Sequence, residues 1–230
     1  MILTPRLLKI AKMVNFKTAA DIGTDHAKLP VYLIENEICR KVVASDVADG
    51  PVLACKKSVA LSGFSEQIDI RKGDGLRTLK PGEVETVIIA GMGGDLISRI
   101  LDNNDDICGC SKEIILQPMT HIIQLRMFLK QNNFKILDEA LVKEKDKIYT
   151  IIRVIKGKNQ YKRNIDYIIS PILITNKDPL LGEYVKRQIQ KYKKEFEGLK
   201  SAAEVDEKAV SKIGLIISDL EKIYETAKNY

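Results

Sequence analysis

Asp21-Ile22-Gly23-Thr24-Asp25-His26-Ala27 decides how this chain folds. Apolar Ala19, Ala20 and Ile22 read as a buried strand, and Leu29, Val31, Tyr32, Leu33 and Ile34 as the helix after it. A strand that turns through glycine into a helix opens a doubly wound sheet, whose ligand crevice lies at the carboxyl ends of the strands. Gly23 lets backbone approach a ligand closely. Of the three glycines in G-x-G-x-x-G only Gly23 is present, with Asp25 and Lys28 at the other two places. Asp25 would put a carboxylate where a pyrophosphate sits. The loop therefore suits a cationic ligand without phosphate, and S-adenosylmethionine is the obvious candidate.

The strand–helix pattern repeats along the chain. Lys41 to Asp46 reads as a strand, followed by a helix through Leu53, Ala54, Val59, Ala60 and Leu61 that stops at Gly63. Ile68-Asp69-Ile70 is a short strand before Gly73-Asp74-Gly75. Val84 to Ala90 is a β-branched run fit for a central strand, and Gly91-Met92-Gly93-Gly94 turns it into a helix with Leu96, Ile97, Ile100 and Leu101. Glu113 to Gln117 is another strand, ended by Pro118, with a helix from about Thr120 to Gln131. Phe134–Lys143 and Lys147–Lys156 flank a Lys145-Asp146 turn and predict an antiparallel hairpin. Alternating strands and helices imply a mainly parallel, doubly wound sheet covered on both faces. Closing on two strands with no helix between them is the pattern of class I (Rossmann-like) methyltransferases, seven-stranded with an antiparallel final strand.

Composition changes after Gly157, dividing the chain into residues 1–157 and 158–230. Asn159 to Lys177 reads as a connector. Leu181, Val185, Gln188, Tyr192, Phe196 and Leu199 then recur at helical spacing, as do Ala209, Ile213, Ile216, Leu220, Ile223 and Ala227. Ser201 with Glu204 resembles a capping box for the second run. Narrow stripes and a short link predict an antiparallel coiled-coil hairpin; two helices folded back over the sheet remain the alternative.

The 230 residues carry a net charge of +6, which favours a polyanionic partner as much as a merely basic surface. No apolar run approaches the ~20 residues of a membrane span. Thr4 as N-cap, Pro5 at the first helical position and Leu7, Leu8, Ala11 and Val14 on one face make the start a native helix and not a targeting peptide. A cytoplasmic protein is expected. Cys39, Cys55, Cys108 and Cys110 lack zinc spacing, so no metal is expected and the thiols should be reduced.

Candidate chemistry gathers at the strand ends. Asp46 lies 23 positions after Gly23, close to the place of the ribose-binding acid of doubly wound folds. Asp74 ends the third strand, where an acid meets adenine or simply makes an Asp-Gly turn. Methylation of an exocyclic amine typically uses an Asn/Asp-Pro-Pro-aromatic turn after the fourth strand; Gly91-Met92-Gly93-Gly94 stands there instead, which favours a ring nitrogen as acceptor. His26 beside Asp25 could serve as a base. Tyr149 and Arg126 are weaker candidates. Seven basic residues between Lys177 and Lys200 are mixed with Asp178, Glu183, Glu195 and Glu197, so they form either a solvated face or a phosphate-binding one.

Asp21-Ile22-Gly23-Thr24-Asp25-His26-Ala27-Lys28-Leu29-Pro30, Asp46-Val47 with Gly50-Pro51, Arg71-Lys72-Gly73-Asp74-Gly75-Leu76, Ile89-Ala90-Gly91-Met92-Gly93-Gly94 and Leu116-Gln117-Pro118 together resemble the bacterial tRNA adenine-22 N1-methyltransferase family, the TrmK type. Met119 stands where that family usually has Asn, and the chain has no Trp. The resemblance implies S-adenosylmethionine-dependent methylation of N1 of an adenine in the D-arm of tRNA. It implies a cofactor site of Asp21, Gly23, Asp25, His26, Asp46, Val47, Asp74, Gly75, Ala90, Gly91 and Gln117. Asp25, His26, Gly91, Met92 and Gly93 would form the catalytic centre. Arg6, Lys9, Arg126, Lys186, Arg187, Lys191, Lys193 and Lys194 would grip tRNA, and a monomer is favoured. A methyltransferase of another substrate, small molecule or protein, and a non-catalytic RNA-binding module on the same fold are the other readings.

Overall fold

The computed structural model describes residues 2–102, 104–158, 161–202, 204, 206–228 and 230. The chain divides into two compact units, residues 1–160 and 161–230. The first unit begins with α1 (Pro5–Met13), where Thr4 Oγ1 accepts from the Leu7 N–H and Pro5 opens the helix. It buries Ile10, Ala11 and Met13. Then come β1 (Thr18–Ile22), α2 (Lys28–Glu35), β2 (Lys41–Asp46), α3 (Asp49–Ser62), β3 (Ile68–Lys72), β4 (Thr86–Gly93) and α4 (Gly94–Leu101). The unit continues with α5 (Asp105–Cys110), β5 (Glu113–Thr120), α6 (Ile122–Gln131), β6 (Phe134–Glu144) and β7 (Lys147–Lys156).

One seven-stranded sheet runs β3-β2-β1-β4-β5-β7-β6, parallel except that β7 is antiparallel to both neighbours. The strand order reverses on either side of β1, so β1 and β4 flank the crevice where a doubly wound sheet binds its ligand. Asp21 lies in register with Ala44 of β2 and Ile88 of β4. Central strands are buried on both faces: Ala19, Ala20, Val87, Ile88, Ile89, Ile114, Ile115 and Leu116 are all inaccessible to solvent.

Two expected boundaries are wrong in the same way. Gly91-Met92-Gly93 is not a turn but the end of β4, and Pro118 does not end β5. A proline can sit in a strand where the ladder is irregular, and here the β4–β5 register shifts between Ala90, Met92 and Gly93. The short α5 was not legible, because six residues hold too little periodicity.

Arg126 corrects an expectation. It lies on α6 fully buried, with its guanidinium on the equally buried Glu139 carboxylate of β6 (Nη2···Oε2 2.6 Å). Opposite charges both removed from water must stay paired, so Arg126 holds the sheet and cannot reach RNA. Arg71 ties β3 to the turn after it through Asp69, the Thr78 carbonyl and Glu83. Hydrogen bonding to Arg71 holds the Glu83 carboxyl down to about 2. All four cysteines are free, and burial pushes the Cys39 thiol up to about 11 and Cys108 to about 12.

The second unit holds α7 (Pro171–Thr175), α8 (Leu181–Lys200) and α9 (Glu207–Ala227). The expected connector is folded: Tyr161, Ile165, Ile168, Ile169 and Leu173 are buried, and Tyr161 Oη lies 2.6 Å from Ser170 Oγ. Asn159 and Gln160 fall outside the described residues. Helices α8 and α9 form an antiparallel hairpin. A Cβ at Gly182 would lie 3.2 Å from the Ala227 carbonyl oxygen, and one at Gly214 would lie 3.7 Å from the Phe196 ring. Lys193 pairs with Glu221 across the hairpin at 2.8 Å. Ile213, Leu220 and Ala227 are buried at heptad spacing. The predicted capping box is absent. Asp206 caps α9 by accepting from the Lys208 and Ala209 N–H groups, while Ser201 ends α8. Among the described residues no helix is long and apolar enough to cross a membrane.

Candidate active site

The loop after β1 is shaped by backbone. Gly23 has φ +75°, and a Cβ there would lie 2.0 Å from the Met92 terminal methyl. The turn after β1 is therefore in contact with the end of β4, and Gly23 leaves room for Met92. Both the Gly23 and Thr24 N–H groups donate to the Ser45 carbonyl oxygen, at 2.8 and 3.0 Å. This locks the β1 turn to the end of β2. Asp25 and His26 follow, exposed and adjacent (Nε2···Oδ1 3.3 Å), with His26 and Ala27 left-handed at φ 57° and 51°.

Asp21 stands below this turn, 7 % exposed. Burial pushes its carboxyl up to about 6; the Thr24 hydroxyl opposes that rise and the Asp46 charge adds to it. Asp46 ends β2, half-buried, and its Oδ1 accepts from the Ala48 N–H at 2.8 Å. A carboxylate has about four lone-pair positions, so it can still take two hydroxyl donors. Val47, 64 % exposed, offers an apolar surface next to it. The Asp46 carbonyl accepts from the Gly73 N–H at 3.0 Å, which brings the ends of β2 and β3 together. Asp74 is exposed and lines a groove with Gly75, Leu96 and Ile100.

The β4 side is built differently. The register of β4 on β5 skips Gly91, whose N–H donates to Gln117 Oε1 at 3.1 Å. Gln117 is fully buried; its Nε2 donates to the Pro118 carbonyl at 2.8 Å and lies 3.6 Å from Met119 Sδ. The same Gln117 Oε1 accepts from Arg6 Nη1 at 2.5 Å. Behind Gly93, a Cβ at Gly94 would lie 2.5 Å from the His121 carbonyl oxygen. His121 itself pairs with Asp95 (Nδ1···Oδ2 2.5 Å), linking the starts of α6 and α4.

The structure thus brings Asp21, Gly23, Asp46, Met92, Gly91 and Gln117 to one end of the sheet, with Asp25 and His26 on the adjoining loop. Sequence reasoning missed the Asp95–His121 pair and placed Arg6 with the RNA-gripping residues, not at Gln117. No local signal announces either, since both depend on partners far along the chain. Of the tail residues, Lys186, Lys191 and Lys194 are exposed, whereas Arg187 and Lys193 pair with Glu183 and Glu221.

A 3-2-1-4-5-7-6 sheet with acids at the ends of β1, β2 and β3 defines a class I methyltransferase. The family described as TrmK, tRNA (adenine(22)-N(1))-methyltransferase, matches residues 19–223. The chain is 31% identical over 211 residues to the Bacillus subtilis tRNA (adenine(22)-N(1))-methyltransferase, covering 89% of each chain. Its fold is similar to that of the Streptococcus pneumoniae protein Sp1610 (TM-score 0.88, 27% identity, 97% of this chain and 100% of that one). It is also similar to M. capricolum TrmK in complex with S-adenosyl-homocysteine (TM-score 0.83, 26% identity, 99% and 100%). The chain belongs to the TrmK family.

Proposed function

We propose that the strand-end residues of this chain carry out the family reaction, S-adenosylmethionine-dependent methylation of N1 of adenine 22 in tRNA. The observation that carries the reading is the juxtaposition of Gly23, Asp46 and Met92 at one end of the sheet, over a buried Asp21. S-adenosylmethionine supplies the electrophilic sulfonium methyl when bound. Asp46 fits the ribose hydroxyls, because a half-buried carboxylate with spare lone pairs matches a diol. Val47, Leu96 and Ile100 offer apolar surface to a flat purine, and Asp74 with Gly75 offers polar atoms at its edge. Asp21, Ala90 and the Gly23 backbone border the remaining part of that site.

At the acceptor end, Gly91, Met92 and Gly93 shape the slot for the target base. Adenine N1 has its own in-plane lone pair and gives up no proton, so positioning supplies most of the rate. Asp25, held by His26, is suited to stabilise the positive charge that moves onto the purine ring. N1 takes part in base pairing, so the nucleotide must be unpaired or extruded to react. Lys9 and the exposed Lys186, Lys191 and Lys194 supply charge for phosphate, with Arg187 and Lys193 able to exchange their carboxylate partners for it. We take the protein to be cytoplasmic and monomeric. Calorimetry with S-adenosylmethionine and a methylation assay on tRNA transcripts test the two halves. Saturable cofactor binding with transfer to RNA is expected, and cofactor binding without transfer to any tRNA would leave only the fold.

A further inference from the structure

Arg6 was expected on the phosphate-gripping surface, yet its guanidinium is turned into the end of the sheet. Its backbone N–H donates to Glu144 Oε2 at 3.2 Å, and the helix in whose first turn it lies is anchored by buried Ile10, Ala11 and Met13. Its Nη1 bonds Gln117 Oε1, its Cζ lies 5.6 Å from the Tyr149 ring centre, and its buried Nε–H has no acceptor among the described residues. A buried donor without a partner carries a cost, so the fold holds the guanidinium there against a local penalty. What Arg6 shares with the Gly91 amide is one acceptor, Gln117 Oε1. Gly91 is the residue at which β4 slips against β5, and a residue skipped by the ladder has its N–H placed by whatever else binds it. Gln117 Oε1 accepts from both the Gly91 N–H and Arg6, and a Cβ at Gly91 would lie 3.4 Å from Arg6 Nη1.

We infer that Arg6 is a positioning residue for the acceptor slot: through Gln117 it fixes the Gly91–Met92 backbone against which the target adenine is aligned. The inference rests on the proposed methyl transfer to adenine N1. It makes the N-terminal helix part of the catalytic machinery instead of the RNA grip. Arginine suits the task because its rigid planar fork can bond Gln117 while lying along Tyr149, which fixes the donor's direction more tightly than a flexible ammonium does.

The test is a double-mutant cycle of Arg6→Ala and Gln117→Met on the full chain, reading kcat, KM for tRNA, tRNA affinity at several salt concentrations and cofactor affinity. Arg6→Ala should lower kcat roughly 10- to 100-fold, the size expected when reacting groups are slightly misplaced. Its tRNA and cofactor affinities should stay within about twofold. Adding Arg6→Ala to Gln117→Met should cost less than about threefold more, because the two act as one unit. Arg6→Lys, keeping a donor and a charge, should recover part of kcat, and it carries the reading should Arg6→Ala fail to fold. Weakened tRNA binding with a salt slope flattened by about 0.7–0.9 would make Arg6 a phosphate ligand and overturn the inference. Fully multiplicative effects on kcat, or an unchanged kcat, would overturn it as well. Absence of methyl transfer by the unaltered protein would instead count against the proposed function, before any variant is compared.

Discussion

The two halves of the site are put together by different means. On the β1–β3 side, acids stand at strand ends and the turns are joined by backbone bonds to a neighbouring strand: Gly23 and Thr24 to Ser45, Gly73 to Asp46. On the β4–β5 side the backbone slips out of register, and side chains from distant parts of the sequence hold it: Gln117 on Gly91, Arg6 on Gln117, His121 on Asp95. The first half is made by topology and the second by interlocking side chains. Apart from Asp25, whose charge faces the reacting base, substitutions on the first side should therefore act on cofactor binding one residue at a time, and those on the second should act on turnover and in groups.

The largest expected effect is on the topological side. Asp46→Ala removes an acceptor for two ribose hydroxyls at about 1.5–3 kcal/mol per charge-assisted bond, a loss of at least tenfold in S-adenosylmethionine affinity by calorimetry. Thermal stability and tRNA affinity should hardly move. Unchanged cofactor affinity in the folded variant would take Asp46 out of the site.

Asp21 gives an effect of opposite sign. Its carboxyl titrates near 6 in the fold against 3.8 ordinarily, so between about pH 4 and 6 the folded state binds more protons than the unfolded one and stability falls as pH rises. Above pH 6 the buried charge opposes folding in full. Each pH step between those two values is worth about 1.4 kcal/mol, so Asp21→Asn should stabilise the ligand-free protein at pH 7.5 by up to about 3 kcal/mol. Below about pH 4 it should give no gain. Denaturant melts at the two pH values measure this; a variant destabilised at pH 7.5 would mean that the ionised carboxylate has a partner in the fold.

Gly94→Ala attacks the interlocked side. With the His121 and Thr120 carbonyl oxygens 2.5 and 2.9 Å from the new methyl, α4 must move off the β5–α6 turn. Overpacking of that kind costs about 1–3 kcal/mol, and here turnover should fall more than cofactor affinity because Gly91–Gly93 shift with the helix. A stable variant with full turnover would show that this side tolerates displacement. Asp25→Ala should have the smallest effect on binding and lower kcat by roughly tenfold, since its charge acts on the transition state. Equal losses in cofactor affinity and kcat would make Asp25 a cofactor ligand only.

This contrast also explains what could be read from the sequence. β2 is found from Lys41 to Asp46 as expected, and Asp46 falls at its end, because strand-end position is a local property of an apolar run. β4 and β5 ran on past Ala90 and Gln117 because the stop signals, glycine and proline, are overridden where two strands pair through a register shift. Arg126 looked like any helix arginine; only the sheet opposite supplies Glu139. Ser201 and Glu204 have the spacing of a cap, but Asp206 lies nearer the first turn and takes its N–H groups.

Methylation of N1 of adenine 22 by this site is tested on defined RNA. Transcripts of a tRNA with adenine or guanine at position 22 are incubated with the protein and S-adenosylmethionine, digested for nucleoside mass spectrometry and mapped by reverse-transcription arrest. 1-Methyladenosine is expected in the first transcript with arrest at position 22, and none in the second. Methylation retained in the guanine-22 transcript, or a different methylated nucleoside in the first, would contradict it.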